Sequence, residues 1–279
     1  PITRPHMIAT YGVDYYNNDR LMVYESKFDS NDNLYLAGFV VDFAQPPTRA
    51  TVIKINANGV IDDTTPGWGD AEYRIGDNKE SAFQSISIDS GDNIFIGGYG
   101  VSIVERNNGS SINYDWWIKK YNSSGIEQSF TNGSSACEAD GSQNPCTYSG
   151  SDIAFEAYDG GKIYSSAIKS NSIYFFGAAS NIGGSGDQNA WLMRFDFSGS
   201  KLWDKNFDDD EAASGGVIGY DIKIDENYNI YLLTQRSDSG DSSVTIYKLN
   251  ENGVNQDIYP YDTIANDTGY TINSTSGKE

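Results

Sequence analysis

The sequence predicts an all-β fold made of one four-stranded unit that recurs along the chain. Of the 279 residues, 13% are aromatic and 29 are glycine, and no extended helical pattern is present. Short runs of aromatic and β-branched residues between polar turns are typical of strands. One short motif also returns along the chain, which indicates a repeat architecture.

The repeated motif is a polar turn that leads into a short apolar strand. Its clearest copy, residues 89–98, reads Asp-Ser-Gly-Asp-Asn followed by Ile-Phe-Ile-Gly-Gly. Further copies occupy residues 29–38, 171–177 and 225–234. Asp and Asn side chains hydrogen-bond to their own backbone and tolerate left-handed conformations, so we expect the polar half to be a hairpin turn. The apolar half is then the second strand of each unit.

Each unit is predicted to contain four strands in the same order. The first unit has strands at 21–29, 34–41 and 50–59, with a weaker one within 60–75. The strands of the later units are expected at 82–89, 93–98, 115–125 and 126–130, then 163–169, 172–177, 190–199 and 201–207, then 220–225, 229–234, 244–253 and 254–259. Residues 8–13 are similar to the last strand of a unit, and residues 269–274 to the first strand of a fifth.

The spacing of the units predicts a β-propeller. The second strands begin 60, 79 and 57 residues apart, at Leu34, Ile94, Ile173 and Ile230. Glycines that end the third strands are 66, 74 and 54 residues apart, at Gly59, Gly125, Gly199 and Gly253. Four strands in a period of about 55 to 60 residues are typical of propeller blades, which bury their faces against neighbouring blades. A β-sandwich also has many short strands, but it does not repeat a four-part motif in register.

We therefore expect one propeller domain, or a fragment of a larger one. The blades are predicted at about 20–76, 80–160, 161–211 and 217–262, with a partial blade at 263–279. Residues 1–7 contain the chain's single histidine, His6, and are either native or a junction left by cloning. Two ways of completing the ring stay open. Either the chain belongs to a longer propeller, or residues 8–13 dock onto the fourth blade.

The third strands carry a resemblance to a known repeat. Residues 115–125 read Asp-Trp-Trp-Ile-Lys-Lys-Tyr-Asn-Ser-Ser-Gly, and residues 191–203 begin Trp-Leu-Met-Arg-Phe-Asp and end in Trp. Together with residues 89–98, they resemble the bacterial β-propeller repeats of secreted and cell-surface proteins, sometimes called SBBP repeats. This resemblance covers nearly the whole chain and implies an extracellular or cell-surface propeller. It implies no activity, because one fold serves many functions.

The charge and hydropathy of the chain restrict its partners. With 39 acidic and 19 basic residues, the formal net charge is -20. A phosphate backbone would be repelled by this charge, so we exclude a nucleic-acid partner. No run of 18 apolar residues occurs, and the sequence therefore predicts no membrane span.

The two cysteines, Cys137 and Cys146, lie nine residues apart in a polar loop that contains Gly and Pro. Such a loop closes easily, and we expect a disulfide between them, which indicates an oxidising compartment. The alternative is a metal site, but no nearby Cys or His supplies further soft ligands.

Two acidic segments raise the question of a calcium site. Asp208, Asp209, Asp210 and Glu211 form the densest acidic run, whose carboxylates could together hold Ca²⁺ or simply be solvated. Residues 29–33 resemble the opening of a calcium loop, but the required central Gly and later Glu are missing. For residues 29–33 we therefore prefer the turn interpretation.

Repeated aromatic and basic residues suggest two further candidate surfaces. Sugar rings could stack on Trp116, Trp191 and Trp203, although repeated aromatics also commonly pack between blades. The repeat also places a basic residue at one equivalent position of the third strands, and we assign Lys54, Lys119, Arg194 and Lys248 to it. These cations either face a ligand or, as we prefer, extend over neighbouring aromatic rings.

The sequence gives catalysis little support. With His6 as the single histidine, a Ser-His-acid triad is excluded, and any carboxylate pair chosen among 39 acids would be arbitrary. Our main hypothesis is an extracellular or surface propeller that binds a protein or glycan partner, or serves in assembly, without catalysis. The alternative is a carbohydrate-active enzyme, a glycoside hydrolase or lyase, with carboxylates at the propeller mouth. That alternative predicts acids that interrupt the repeat on one face.

Overall fold

The structure is a computed structural model, and it describes residues 20–41, 48–62, 72–73, 80–101, 114–130, 146–148, 152–155, 161–180, 188–207, 216–238, 241–256 and 269–274. Within these ranges the chain forms seventeen strands and no helix. The strands make four antiparallel sheets that follow one another along the chain.

Each sheet is one blade, and its strands are consecutive in sequence. Blade one contains β1 (Arg20–Phe28), β2 (Leu34–Val41), β3 (Arg49–Ile55) and β4 (Glu72–Tyr73). Blade two contains β5 (Ser81–Ile88), β6 (Ile94–Val101), β7 (Tyr114–Tyr121), β8 (Cys146–Tyr148) and β9 (Asp152–Phe155). Blade three contains β10 (Lys162–Lys169), β11 (Ser172–Ser180), β12 (Gln188–Asp196) and β13 (Lys201–Phe207). Blade four contains β14 (Gly216–Ile224), β15 (Ile230–Asp238), β16 (Asp241–Leu249) and β17 (Gly269–Ser274).

The first strands of the blades lie next to one another around a common axis. Strand β1 contacts β5, β5 contacts β10, and β10 contacts β14. The other strands of each blade follow outwards in sequence order, except that β9 lies between β7 and β8. This is the arrangement of propeller blades, so the predicted all-β propeller is confirmed.

The outermost strands differ from the prediction. In the residues that the structure describes directly after the glycine turns of blades one, two and four, the chain makes only an isolated bridge to the third strand, as at Tyr121 and Glu127. The strand that pairs with the outer edge of the third strand comes later, as β4, β9 or β17, and in blade two β8 lies outside β9. Blade three alone, among the described residues, continues directly into its fourth strand. Residues 269–274, expected to open a fifth blade, therefore complete the fourth.

The physical reason is that the backbone groups on the outer edge of each third strand need partners. At one equivalent position in every blade, the third strand pairs with an aromatic or aliphatic residue of the last strand. The pairs are Ala50 with Tyr73, Trp116 with Phe155, Ala190 with Phe207, and Val244 with Ile272. An open third-strand edge would leave backbone groups unpaired, and a later segment supplies the partner wherever the chain after the turn diverges.

The polar turns have the predicted chemistry. Asp89 Oδ1 accepts the N–H groups of Gly91 at 2.8 Å and Asn93 at 2.9 Å, and its Oδ2 accepts Asn93 Nδ2 at 2.9 Å. Asp29 and Asp225 make the same three bonds in their own turns. Since the carboxylate oxygens bind turn donors, the turn interpretation of these motifs is confirmed.

Apolar clusters between consecutive blades hold the blades together. Their large buried members include Tyr35, Phe83 and Trp117 between blades one and two, Trp116, Phe175 and Trp191 between blades two and three, and Phe176, Leu192 and Leu232 between blades three and four. Full burial of one such side chain stabilises a fold by roughly 1.5–3 kcal/mol. The blades therefore pack face to face, and their first strands are left to line the axis.

Candidate functional site

Every first strand carries a β-bulge at the same place. The register with the second strand shifts between Val23 and Glu25 in blade one, and at the equivalent position in blades two, three and four. The residues skipped by the pairing are Tyr24, Gln84, Tyr164 and Tyr220, which we call the bulge ring. Bulges redirect side chains and are common beside functional sites.

Glycine opposite the bulge makes this geometry possible. A Cβ on Gly98 would collide with the carbonyl oxygen of Ala82, just before the bulge of blade two. Gly38 and Gly177 face the same conflict in blades one and three. Blade four has Thr234 at this position, and the residue paired with Thr234 on the first strand is a glycine, Gly219. The glycines that end the sequence motif thus leave room for the backbone of the first strand next to the bulge.

Tyrosines of three blades converge in the bulge ring. The rings of Tyr164 and Tyr220 lie 5.7 Å apart between centroids. Burial raises the pKa of Tyr164, and the nearby hydroxyls of Tyr220 and Tyr24 raise it further. Tyr24 is 51% exposed and Tyr220 is 41% exposed, so both present ring surface to solvent. Gln84 takes the fourth place and is buried.

Carboxylates follow the bulge in two of the four blades. The next residues are Glu25, Ser85, Ser165 and Asp221, so blades one and four carry acids where blades two and three carry serine. Glu25 accepts hydrogen bonds from Lys27 Nζ at 2.7 Å and from the N–H of Ile86 at 2.8 Å. The second bond joins blade one to blade two. The residue after the bulge therefore differs between blades, and two blades place an acid on the axis.

Asp221 has more donors. It accepts hydrogen bonds from Lys223 Nζ at 2.7 Å, Ser165 Oγ at 2.8 Å and the N–H of Ile222 at 2.9 Å. Burial alone would raise the pKa of Asp221, but the hydrogen bonds from Lys223, Ser165 and Ile222, with the Lys223 charge, outweigh burial and lower it. Asp221 is thus held as a carboxylate at neutral pH.

A cavity of about 290 Å³ lies on the axis next to these carboxylates, towards the hairpin turns. First strands of all four blades line it. Lys27 and Lys223 are its charged residues, and its hydroxyls belong to Ser87 and Ser166, whose oxygens are 2.9 Å apart. The remaining lining is mostly apolar, for example Phe28 and Ile88. The axis therefore offers tyrosines, carboxylates and a small cavity in succession.

All four blades carry a basic residue at one equivalent position of the third strand, but in blade two this residue is not the predicted one. In each blade a cation of the third strand lies over an aromatic ring of the second strand. The distances from the cation to the ring centroid are 5.9 Å for Lys54 and Tyr35, 5.3 Å for Lys120 and Phe95, 5.3 Å for Arg194 and Tyr174, and 5.8 Å for Lys248 and Tyr231. In blade two the equivalent residue is therefore Lys120, and the prediction of Lys119 was wrong. Lys119 pairs with Ile96 and forms an ion pair with Glu127 at 3.2 Å. The cations extend over aromatics, as we preferred.

The predicted stacking tryptophans lie between blades. Trp116 and Trp191 are 0% and 2% exposed, and their ring centroids are 5.1 Å apart. Trp116 Nε1 donates to the carbonyl of Ala178 at 2.8 Å. Trp203 packs against the cluster between blades three and four and against Gly253. Trp116 and Trp191 have no open face for a sugar, so their burial favours the packing role.

Two other predicted sites lie wholly or partly outside the described residues. For the disulfide, Cys137 is not described, and Cys146 is described only as the first residue of β8. For the Ca²⁺ site, none of Asp208, Asp209, Asp210 and Glu211 is described. The expected disulfide and Ca²⁺ site therefore stay predictions. In the described part of the chain, no three His, Cys, Asp or Glu residues cluster in a way that could hold a metal ion.

The same part contains no helix with the length and apolarity needed to cross a membrane.

Comparisons with known proteins show resemblance to solved structures only. No family model and no curated protein matches the chain. An ulvan lyase of polysaccharide lyase family PL25, bound to -[GlcA(1-4)Rha3S]-, is 12% identical, with 82% of this chain and 52% of that chain covered and a TM-score of 0.49. A GH43 endo-arabinanase from Bacillus licheniformis is also 12% identical, with 82% and 74% covered and a TM-score of 0.39. The chain thus spans about half the length of the lyase. Both neighbours are carbohydrate-active enzymes, but likeness at this level carries no argument about the activity of this chain.

Proposed function

We propose that this propeller is a saccharide-binding module whose site lies on the axis, at the bulge ring and the two adjacent carboxylates. One observation carries the proposal. Tyrosines from three blades converge, and Glu25 and Asp221 directly follow two of them, where the other two blades carry serine.

The chemistry of these side chains suits a sugar. A pyranose has apolar C–H faces, which pack on aromatic rings, and a rim of hydroxyls, which donate to carboxylates and amides. Tyr24 and Tyr220 supply partly exposed rings with polar tips. Glu25 and Asp221 supply acceptors next to them. Because the net charge of the chain is -20, we expect a neutral saccharide to be preferred over a polyanionic one.

The carboxylates are better suited to binding than to acid catalysis. A glycosidase needs one carboxylic acid that stays protonated near neutral pH, which requires a raised pKa. The pKa of Asp221 is lowered instead, and both Glu25 and Asp221 are ion-paired with lysines. Placement at the cell surface or outside the cell belongs to the same proposal, because that is where a glycan-binding module meets polysaccharides.

Cleavage of a polysaccharide is the second candidate function. It is favoured by the difference between blades after the bulge, since Glu25 and Asp221 stand where the other two blades carry serine. In this candidate Asp221, held ionised, would act as base or nucleophile and not as the acid.

One experiment separates the two candidates. Neutral hexasaccharides of glucose, xylose, mannose and galactose are titrated into the protein by isothermal calorimetry, and the same mixtures are incubated and analysed for shorter products. Binding of at least one hexasaccharide without product release supports the binding module. Product release supports cleavage, and a panel without binding or cleavage contradicts both candidates.

A further inference from the structure

Gln84 breaks the pattern of the bulge ring. The equivalent residues of the other three blades are tyrosines, whereas blade two has an amide. Gln84 is 8% exposed, and its Oε1 is buried without a hydrogen-bond partner. Its neighbours on the innermost strand β5, Phe83 and Ser85, are fully buried.

A buried acceptor without a partner is costly, because it has lost its hydrogen bonds to water and gained none. Most buried polar side-chain atoms in folded proteins have a partner, and an exception calls for an explanation. If position 84 served packing alone, an apolar residue or a fourth tyrosine would satisfy it better. The amide is therefore explained best by a donor that arrives with a ligand.

We propose that Gln84 is a specificity-determining residue whose amide binds a hydroxyl of the saccharide held in the bulge ring. This inference rests on the proposed function. A hydroxyl both donates and accepts hydrogen bonds, so it satisfies Oε1 directly. A site built around a buried polar group discriminates strongly against ligands that lack the matching hydroxyl, since the group is then left unpaired again.

The effect of this residue on stability distinguishes the proposal from a structural role. Gln84→Met keeps nearly the same volume and removes the amide. A structural amide would stabilise the free protein, so its loss would lower the melting temperature. A ligand-binding amide without a partner in the free protein would not, and the melting temperature of Gln84→Met is expected to stay the same or rise.

The test uses the hexasaccharide of the neutral panel that binds wild type most tightly. We expect Gln84→Met to weaken its affinity about five- to tenfold, the value of one hydrogen bond. Gln128→Met is the matched control, because Gln128 lies outside the first strands and bonds to backbone carbonyls near it in sequence. Gln84→Asn, which withdraws the amide by one methylene, is the second variant and is also expected to weaken binding.

Monodeoxy analogues of the same sugar complete the design. One deoxy position should weaken binding to wild type and have no further effect on Gln84→Met. Equal affinity of wild type, Gln84→Met and Gln84→Asn would overturn the inference and leave the proposed function intact. Absence of any saccharide binding to wild type would instead overturn the proposed function, and this inference with it.

Discussion

Ser165 donates a hydrogen bond to the carboxylate of Asp221 across the boundary between blades three and four, with 2.8 Å between the oxygens. The two residues occupy the same position of the repeat, directly after the bulge. One repeat position therefore supplies both the donor and the acceptor of an inter-blade contact. Asp221 therefore joins two blades and places a charge on the axis.

The lowered pKa of Asp221 predicts a pH-dependent contribution to stability. Because its pKa is lower in the folded state, the contribution is present above the ordinary carboxyl pKa and is lost as the pH falls through the folded value. We expect Asp221→Asn to reduce the free energy of unfolding at pH 7 by roughly 1 kcal/mol, a modest value because the carboxylate is partly exposed. The difference from wild type should shrink towards pH 3. Urea unfolding at pH 7, 5 and 3 measures it.

Glu226→Gln is the control for this series, because Glu226 lies on an exposed turn of the same blade. Its effect should be small at every pH. A deficit of Asp221→Asn that is as large at pH 3 as at pH 7 would show that the charge of Asp221 is not the source of the stability.

The turn carboxylates should contribute to stability through three hydrogen bonds each. Asp89→Ala removes the acceptors of the Gly91 and Asn93 donors, and we expect a loss of roughly 1–2 kcal/mol. Asp89→Asn keeps an oxygen for the two backbone N–H groups and should lose less. Urea unfolding of the two variants ranks them, and an Asn variant that is no more stable than the Ala variant would argue against this role of the side chain.

The glycine opposite the bulge should be intolerant of a side chain. Gly98→Ala places a Cβ against the backbone carbonyl of Ala82, and we expect destabilisation by roughly 1–3 kcal/mol, together with weaker saccharide binding as the bulge shifts. Gly91→Ala in the same blade is the matched control, since its Cβ would meet only side-chain atoms at 3.3 and 3.4 Å. Thermal unfolding and calorimetry measure both effects, and equal behaviour of the two variants would contradict the proposed need for glycine.

Much of the fold could be predicted because the repeat is encoded locally. Residues 89–93 form the predicted turn, and the second and third strands lie where the glycine spacing places them. The last strands could not be predicted, because they depend on which later segment reaches the open edge of the third strand. Counting from the glycine turn would have identified Lys120, which lies five residues before Gly125 as Lys54 does before Gly59.

Only part of the axial site could be predicted from the sequence. The bulges arise from a mismatch of one residue between paired strands, which a single strand does not reveal. The acids did leave a signal. Glu25, Ser85 and Asp221 each lie four residues before the aspartate of the following turn, so an alignment of the first strands on these turns shows that some blades carry an acid and others serine at this position. The exposure of Tyr24 and Tyr220 depends on packing between blades and needed the structure.

The most direct test of the axial site is the affinity of Tyr220→Ala for the hexasaccharide that binds wild type best, measured by calorimetry. Tyr228→Ala is the control, because Tyr228 is similarly exposed, at 38% against 41%, but lies on a hairpin turn. We expect Tyr220→Ala to lose at least about fivefold in affinity, since a stacked aromatic ring contributes about 1 kcal/mol or more, and Tyr228→Ala to bind as wild type. Full affinity of Tyr220→Ala, with or without a loss in Tyr228→Ala, would contradict a binding site at the bulge ring.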